Sequence, residues 1–138
     1  MPDADGGPAL FRLVRFWSRR WPRGVAGEPA ATPQHVLTLD AVGSGATVGE
    51  VARRLGLDHS GASRMVAAAS AEGYLLRARS PEDARRSVVT PTDAGRELTA
   101  AARAWQRTTF TELTAHWDAA DRERFAGYLA RLATEVGA

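Results

Sequence analysis

The sequence contains no cysteine. That excludes a disulfide framework, a thiolate metal site and any switch worked by cysteine oxidation. Lysine is also absent, so all 18 basic residues are arginine, a bias that matches the Ala-, Arg- and Gly-rich composition of a GC-rich coding sequence. No apolar run is long enough to span a bilayer, and no apolar stretch follows a basic start as in a signal peptide. A cytoplasmic protein without membrane contact is therefore expected. Internal repeats and low-complexity tracts are missing. The three histidines, His35, His59 and His116, stand far apart with no second ligand at metal spacing. H-E-x-x-H, G-x-S-x-G and the phosphate loop are all absent. The expectation is a protein that is not an enzyme and holds no cofactor or metal.

What remains suits one domain. A chain of 138 residues can bury an adequate core. The formal net charge of +2 is too small to argue for a nucleic-acid partner, but its distribution says more. Arg53, Arg54, Arg64, Arg77, Arg79, Arg85 and Arg86 fall in one span, shared with the acids Asp58, Glu72, Glu82 and Asp83. The span is net positive, which is the footprint of a phosphate-binding surface; scattered solvated charge is the ordinary alternative.

The span is built around TVGEVARRLGLDHSGASRMVAAASAEGY, residues 47 to 74. Thr47 is a good N-cap, and Glu50 stands at capping-box spacing from it, where the two would satisfy orphan donors reciprocally. Val48, Val51, Ala52 and Leu55 follow at helical spacing. Gly56 ends this helix as a left-handed C′ residue, and Leu57 is expected to turn inward as the plug of the turn. Asp58 caps a second helix with His59, Ser60, Gly61, Ser63 and Arg64 outside and Ala62, Met65, Val66 and Ala69 inside. Gly73 ends it. Two short helices joined by a tight turn match a helix-turn-helix, whose second helix enters the DNA major groove. An ordinary helical hairpin fits this stretch equally well, and the next segment separates the two.

After Gly73 the period changes from helical to alternating. Residues 74–79 read as a strand, 80–86 as a charged turn and 87–90 as the β-branched returning strand. A hairpin placed directly after a helix-turn-helix describes a winged helix. Its tip carries Arg85 and Arg86, and a protruding arginine suits the narrow, electronegative minor groove. Glu82 and Asp83 are expected to hold one of these two arginines and leave the other free.

Residues 1–7 look frayed. From Pro8, the residues Leu10, Leu13, Val14, Trp17 and Trp21 recur at helical spacing, with Arg12, Arg15, Arg19 and Arg20 on the other face and Phe11 and Phe16 widening the apolar stripe. Pro22 ends the pattern, and 22–31 read as a loop. So greasy a helix in a small chain marks an interface, here a dimer. Thr32 caps the next helix, with Pro33 at its first position and Val36, Leu37, Leu39, Ala41 and Val42 inside. Thr92 caps a long helix of about seven turns, whose apolar face runs from Leu98 to Trp117. Asp118 caps the last helix, with the stripe Phe125, Tyr128, Leu129, Leu132 and Val136.

The run from Leu55 to Leu98 resembles the MarR family of winged-helix transcriptional regulators. That family carries a D-x-R wing, here Asp83-Ala84-Arg85-Arg86-Ser87. Its next helix starts Leu-Thr-x-x-Gly, here Pro91-Thr92-Asp93-Ala94-Gly95. The order of elements agrees from Leu10 to about Val136. Pro91 departs from the family's leucine, and Ala69-Ser70 from its Leu-Glu, which thins the core under the recognition helix. The resemblance implies a mainly α fold with a small β-hairpin wing (α+β). One domain, 1–138, would comprise a winged helix-turn-helix over 32–91 and dimerisation helices over 8–22 and 93–138.

The resemblance also implies a homodimer that binds a palindromic operator in double-stranded DNA and acts as a repressor relieved by a small, aromatic ligand. Arg64 could make a bidentate bond to guanine, with Ser60 and Ser63 as further contacts; Ser60 and His59, near the helix N-terminus, could serve phosphates instead. Arg53 and Arg54 would meet the DNA backbone, and Arg85 or Arg86 the minor groove. Trp17, Trp21, His35 and Trp105 are candidates to line an effector pocket, though core or interface is the commoner place for a tryptophan. Two other readings stay open: a metal-sensing winged helix, and a winged helix that contacts proteins only.

Overall fold

Small apolar side chains at helical spacing demand a shared interior, and in this chain three short helices and a hairpin supply it. The computed structural model describes residues 5–24 and 33–138, the side chains of 19–24 excepted. Among these residues the elements run α1 (Gly6–Gly24), α2 (Pro33–Val42), α3 (Val48–Leu55), α4 (His59–Ala71), β1 (Leu75–Arg79), β2 (Ser87–Pro91), α5 (Asp93–Leu113) and α6 (Ala119–Glu135). The architecture is mainly α with a two-stranded antiparallel wing, as expected.

The core gathers Val36, Leu39 and Val42 of α2 against Val51 and Ala52 of α3 and Ala62, Val66 and Ala69 of α4. Leu75, Val89 and Leu98 close it from the hairpin and α5. Most of these side chains are small, so the helices approach closely and each methyl group counts. α2 departs from expectation in one respect. Leu37 is exposed, and His35 and Thr38 are inside instead. Thr38 tolerates this because its hydroxyl donates to the Gln34 carbonyl at 2.7 Å. The His35 ring lies 5.5 Å from that of Tyr74.

Helix ends follow the local chemistry closely. Thr47 Oγ1 accepts the Glu50 N–H at 3.2 Å. The Glu50 carboxylate, however, turns toward Arg54, 3.7 Å away, so the reciprocal half of the capping box gives way to an ion pair. Gly56 adopts φ +66°, with its own N–H on Arg53 and the Leu57 N–H on Ala52. This is a Schellman ending, a backbone turn that an L side chain would strain. Leu57 itself stays 40% exposed rather than plugging the turn; the Schellman bonds already lock the turn without it. Asp58 Oδ1 caps α4 on the Gly61 N–H at 2.7 Å, and Gly73 ends α4 with the same backbone pattern as Gly56.

The hairpin pairs Leu75 with Pro91 and Arg79 with Ser87. Pro91 cannot donate, but Thr92 next to it donates to the Tyr74 carbonyl at 3.0 Å, so the ladder is extended rather than ended. A short edge goes beyond what periodicity showed: Ala46 and Val89 exchange both backbone hydrogen bonds, at 3.0 and 2.7 Å. They tie the start of the helix-turn-helix to the wing.

Three boundaries differ from expectation. α1 begins at Gly6 and continues past Pro22 to Gly24; in the last turn a proline forfeits a single ladder bond. α5 stops at Leu113, and Trp117 lies in the turn that follows, its ring 5.1 Å from Phe125 of α6. Asp118 occupies the N-cap position of α6 without using its side chain. The expected cap at Thr32, most of the expected loop and residues 1–4 lie outside the described residues.

Candidate nucleic-acid interface

Two elements form the candidate interface, the first turns of α4 and the wing. α4 presents His59, Ser60 and Arg64 to solvent, while Ala62, Val66 and Ala69 anchor its inner side. Its later exposed positions are Ala67, Ala68 and Ala71. This small-residue surface allows close approach of a groove wall. Met65, expected inside, is half-buried, and Ser63 and Gly61 are less exposed than their neighbours.

The wing tip is held by backbone and carboxylate bonds. Ser80 N–H donates to the Arg86 carbonyl at 2.7 Å, and Arg86 N–H to the Asp83 carbonyl at 3.0 Å. Asp83 Oδ1 accepts the Arg85 backbone N–H at 3.0 Å. The Arg79 guanidinium reaches the Ala84 carbonyl at 3.2 Å. The expectation that an acid would pair with one wing-tip arginine is corrected here. Asp83 caps backbone, and it is Arg79 that braces the loop. Among the described residues, the guanidinium groups of Arg85 and Arg86 stand in no ion pair, and both residues are exposed.

The two neighbouring arginines of α3 divide. Arg53 is exposed. Arg54 donates to the Ala41 carbonyl at 2.6 Å and lies beside Glu50, which pins α3 to the end of α2. Of the seven arginines between Arg53 and Arg86, Arg54 alone is ion-paired among the described residues. Two of the four acids of the span serve as caps, Asp58 on α4 and Asp83 on the wing, and seven arginines outnumber the four acids. Positive charge on this face is thus left uncompensated, which favours a polyanion.

Between α4 and the wing lies a cleft of about 300 Å³, lined by Thr47, His59, Ser63, Arg77, Arg86 and Ser87 together with the first turn of α3. It brings Ser63, His59 and Arg86 of the sequence-read residues together and adds Arg77 and Ser87. Strand alternation left Arg77 without an assigned role; only the hairpin's placement beside α4 gives it one.

The residues expected to form an effector pocket do not assemble as one set. Trp17 and Trp105 meet edge to face, centroids 6.0 Å apart. With Gln106, Thr109, Phe110 and Leu113 they line an open apolar groove of about 300 Å³. His35 is not part of it: the ring is buried beside Tyr74, because α2 turns this position into the core. The side chain of Trp21 lies outside the described residues. Among those residues no three His, Cys, Asp or Glu gather to hold a metal ion, and no helix is long and apolar enough to cross a membrane.

Residues 32–86 match the model of the MarR family. None of the curated proteins matches the sequence. Solved structures share the fold over nearly the whole chain. The chain is similar to a MarR family protein from Bacillus stearothermophilus (TM-score 0.77, 17% identity, 95% of each chain covered). It is also similar to a probable transcriptional regulator from Pseudomonas aeruginosa (TM-score 0.70, 23% identity, 94% of this chain and 98% of that one). A third is wild-type MarR from E. coli in its apo form (TM-score 0.66, 19% identity, 89% of this chain and 96% of that one).

Proposed function

We propose that this chain, whose residues 32–86 match the model of the MarR family, is a homodimeric, sequence-specific DNA-binding protein that represses transcription by occupying a palindromic operator. The observation that carries the reading is the face on which the first turns of α4 and the wing adjoin, its arginines unpaired apart from Arg54. Residues 32–91 act as the DNA-reading module, and α1 with α5 and α6 as the dimerisation region. α4 lies in the major groove with Arg64 and Ser60 toward base edges. The wing tip carries an arginine to the minor groove, and Arg53 meets the sugar-phosphate backbone. The hydrogen bond of Arg54 to the Ala41 carbonyl supports a role in holding α3 in place beside any contact with the DNA backbone.

Two uncovered apolar faces support the dimer. On α1, Leu10, Leu13 and Val14 are exposed and Phe11 is 71% exposed. On α6 no residue is buried, and Tyr128 and Val136 are 65% and 68% exposed. Apolar area of this extent is removed from water by a second copy. The Trp17–Trp105 groove opens between α1 and α5, where a flat aromatic ligand would bind and bias the spacing of the two reading heads. The place of action is the cytoplasm, where the operator is.

The test is selection of bound sequences from a random duplex pool at two salt concentrations. Enrichment of a palindrome, with affinity that falls as salt rises, is the expected result. Salt-sensitive binding without enrichment would overturn sequence specificity. Absence of binding at low salt would overturn DNA recognition and favour a winged helix that serves protein contacts.

A further inference from the structure

We propose that the cleft between α4 and the wing is a clamp for one backbone phosphate, formed by Arg77 and Arg86 with the polar groups of His59, Ser63 and Ser87. The inference rests on the proposed reading and fixes the register that this reading leaves open. If α4 occupies a major groove and the wing tip the adjacent minor groove, the strand that separates those grooves crosses between the two elements. The cleft lies at that crossing. Its volume of about 300 Å³ admits a phosphate with its ester oxygens. Two arginines supply positive charge in it, and among the described residues neither is in an ion pair. Arg77 stands on β1 and Ser87 at the start of β2, paired strands that hold both groups at a defined distance from α4. Such contacts position a protein on the duplex without reading sequence.

The consequence is a division of labour. Arg86 faces the cleft and Arg85 does not line it, so Arg85 is the arginine left for the minor groove. Ser63, which helical spacing grouped with the base-reading residues, serves the backbone instead.

The clamp is tested on the enriched operator with a set of duplexes, each carrying one uncharged methylphosphonate linkage. For the wild-type protein, one linkage per half-site, between the major- and minor-groove contacts, is expected to weaken binding several-fold. In Arg77→Ala/Arg86→Ala that linkage is expected to have no further effect, and the slope of log K against log salt should fall by about 1 per half-site. Arg77→Lys/Arg86→Lys, which keeps the charge, should retain most of the sensitivity. Equal losses at that linkage in wild type and double variant would overturn the clamp while leaving the regulator reading intact. Failure of the wild type to bind any duplex would overturn both. Protection of the cleft by inorganic phosphate, with no linkage effect on DNA binding, would assign it to a free anion and overturn the proposal.

Discussion

Gly95 shows how one position is decided by what approaches it. It follows the Thr92 cap, whose hydroxyl accepts the Gly95 N–H at 3.1 Å and donates to the Gly73 carbonyl at 2.6 Å. A Cβ at Gly95 would press into the Tyr74 carbonyl and crowd Leu39. Backbone cannot yield as a flexible side chain does, so Gly95→Ala is expected to destabilise by about 1–3 kcal/mol, read as a lower urea midpoint at fixed protomer concentration and unchanged slope. Ser70 predicts the opposite sign. Its buried hydroxyl has no hydrogen-bond partner. Ser70→Ala removes an unsatisfied polar atom and is expected to stabilise by about 1 kcal/mol in the same assay. On the reading side, Arg64→Ala is expected to cost about 1–3 kcal/mol and relax preference at one operator position. Binding to a panel of operator variants with unchanged preference would remove Arg64 from base recognition.

α3 and the wing are elements whose neighbouring residues do different work. Arg53 and Arg54 are adjacent and identical in type, yet one guanidinium is open to solvent and the other donates to Ala41. Arg54→Ala should lower thermal stability, by about 1 kcal/mol for the hydrogen bond, because the partly exposed pair with Glu50 adds little. Arg53→Ala should leave stability unchanged and weaken DNA binding evenly across sequences. Thermal melts and titrations on the two variants separate the roles; interchangeable effects would contradict the division. The wing follows the same logic. Asp83 and Arg79 fix the loop so that Arg85 and Arg86 need hold nothing within the fold.

For the whole molecule, the question is what the two ends do. α1 touches the body through Trp17 on Trp105, and α6 through Phe125 on Phe110 and Trp117. Leu10, Phe11, Leu13 and Val14 of α1, and Tyr128, Leu129 and Leu132 of α6, are exposed. A charge at the centre of such a face is costly to bury in a second copy. Leu132→Glu is therefore expected to shift the protein from dimer to monomer by sedimentation, with retained helical signal and loss of tight binding to a full palindrome. A monomeric wild type by the same measurement would remove the two-fold operator from the proposal.

Sequence alone determined the features that depend on neighbours along the chain. Caps at Thr47, Asp58 and Thr92, stops at Gly56 and Gly73, and the change from helical to alternating period at Tyr74 all follow from backbone donors and side-chain spacing, and all are found in place. Those signals sufficed for the winged-helix class. The tertiary structure decided what periodicity cannot express, because these features depend on which surfaces meet. Helical spacing marked Leu37 as inside and the turn was expected to bury Leu57, but packing left both exposed and drew His35 and Thr38 inward. The family resemblance grouped His35 with the tryptophans, whereas the fold seats it against Tyr74. Arg77 was one charge among seven until the hairpin brought it to the cleft beside α4. The Gly73 turn leads β1 directly out of α4, and the Ala46–Val89 bridge ties β2 to the start of the helix-turn-helix, so the hairpin lies beside α4.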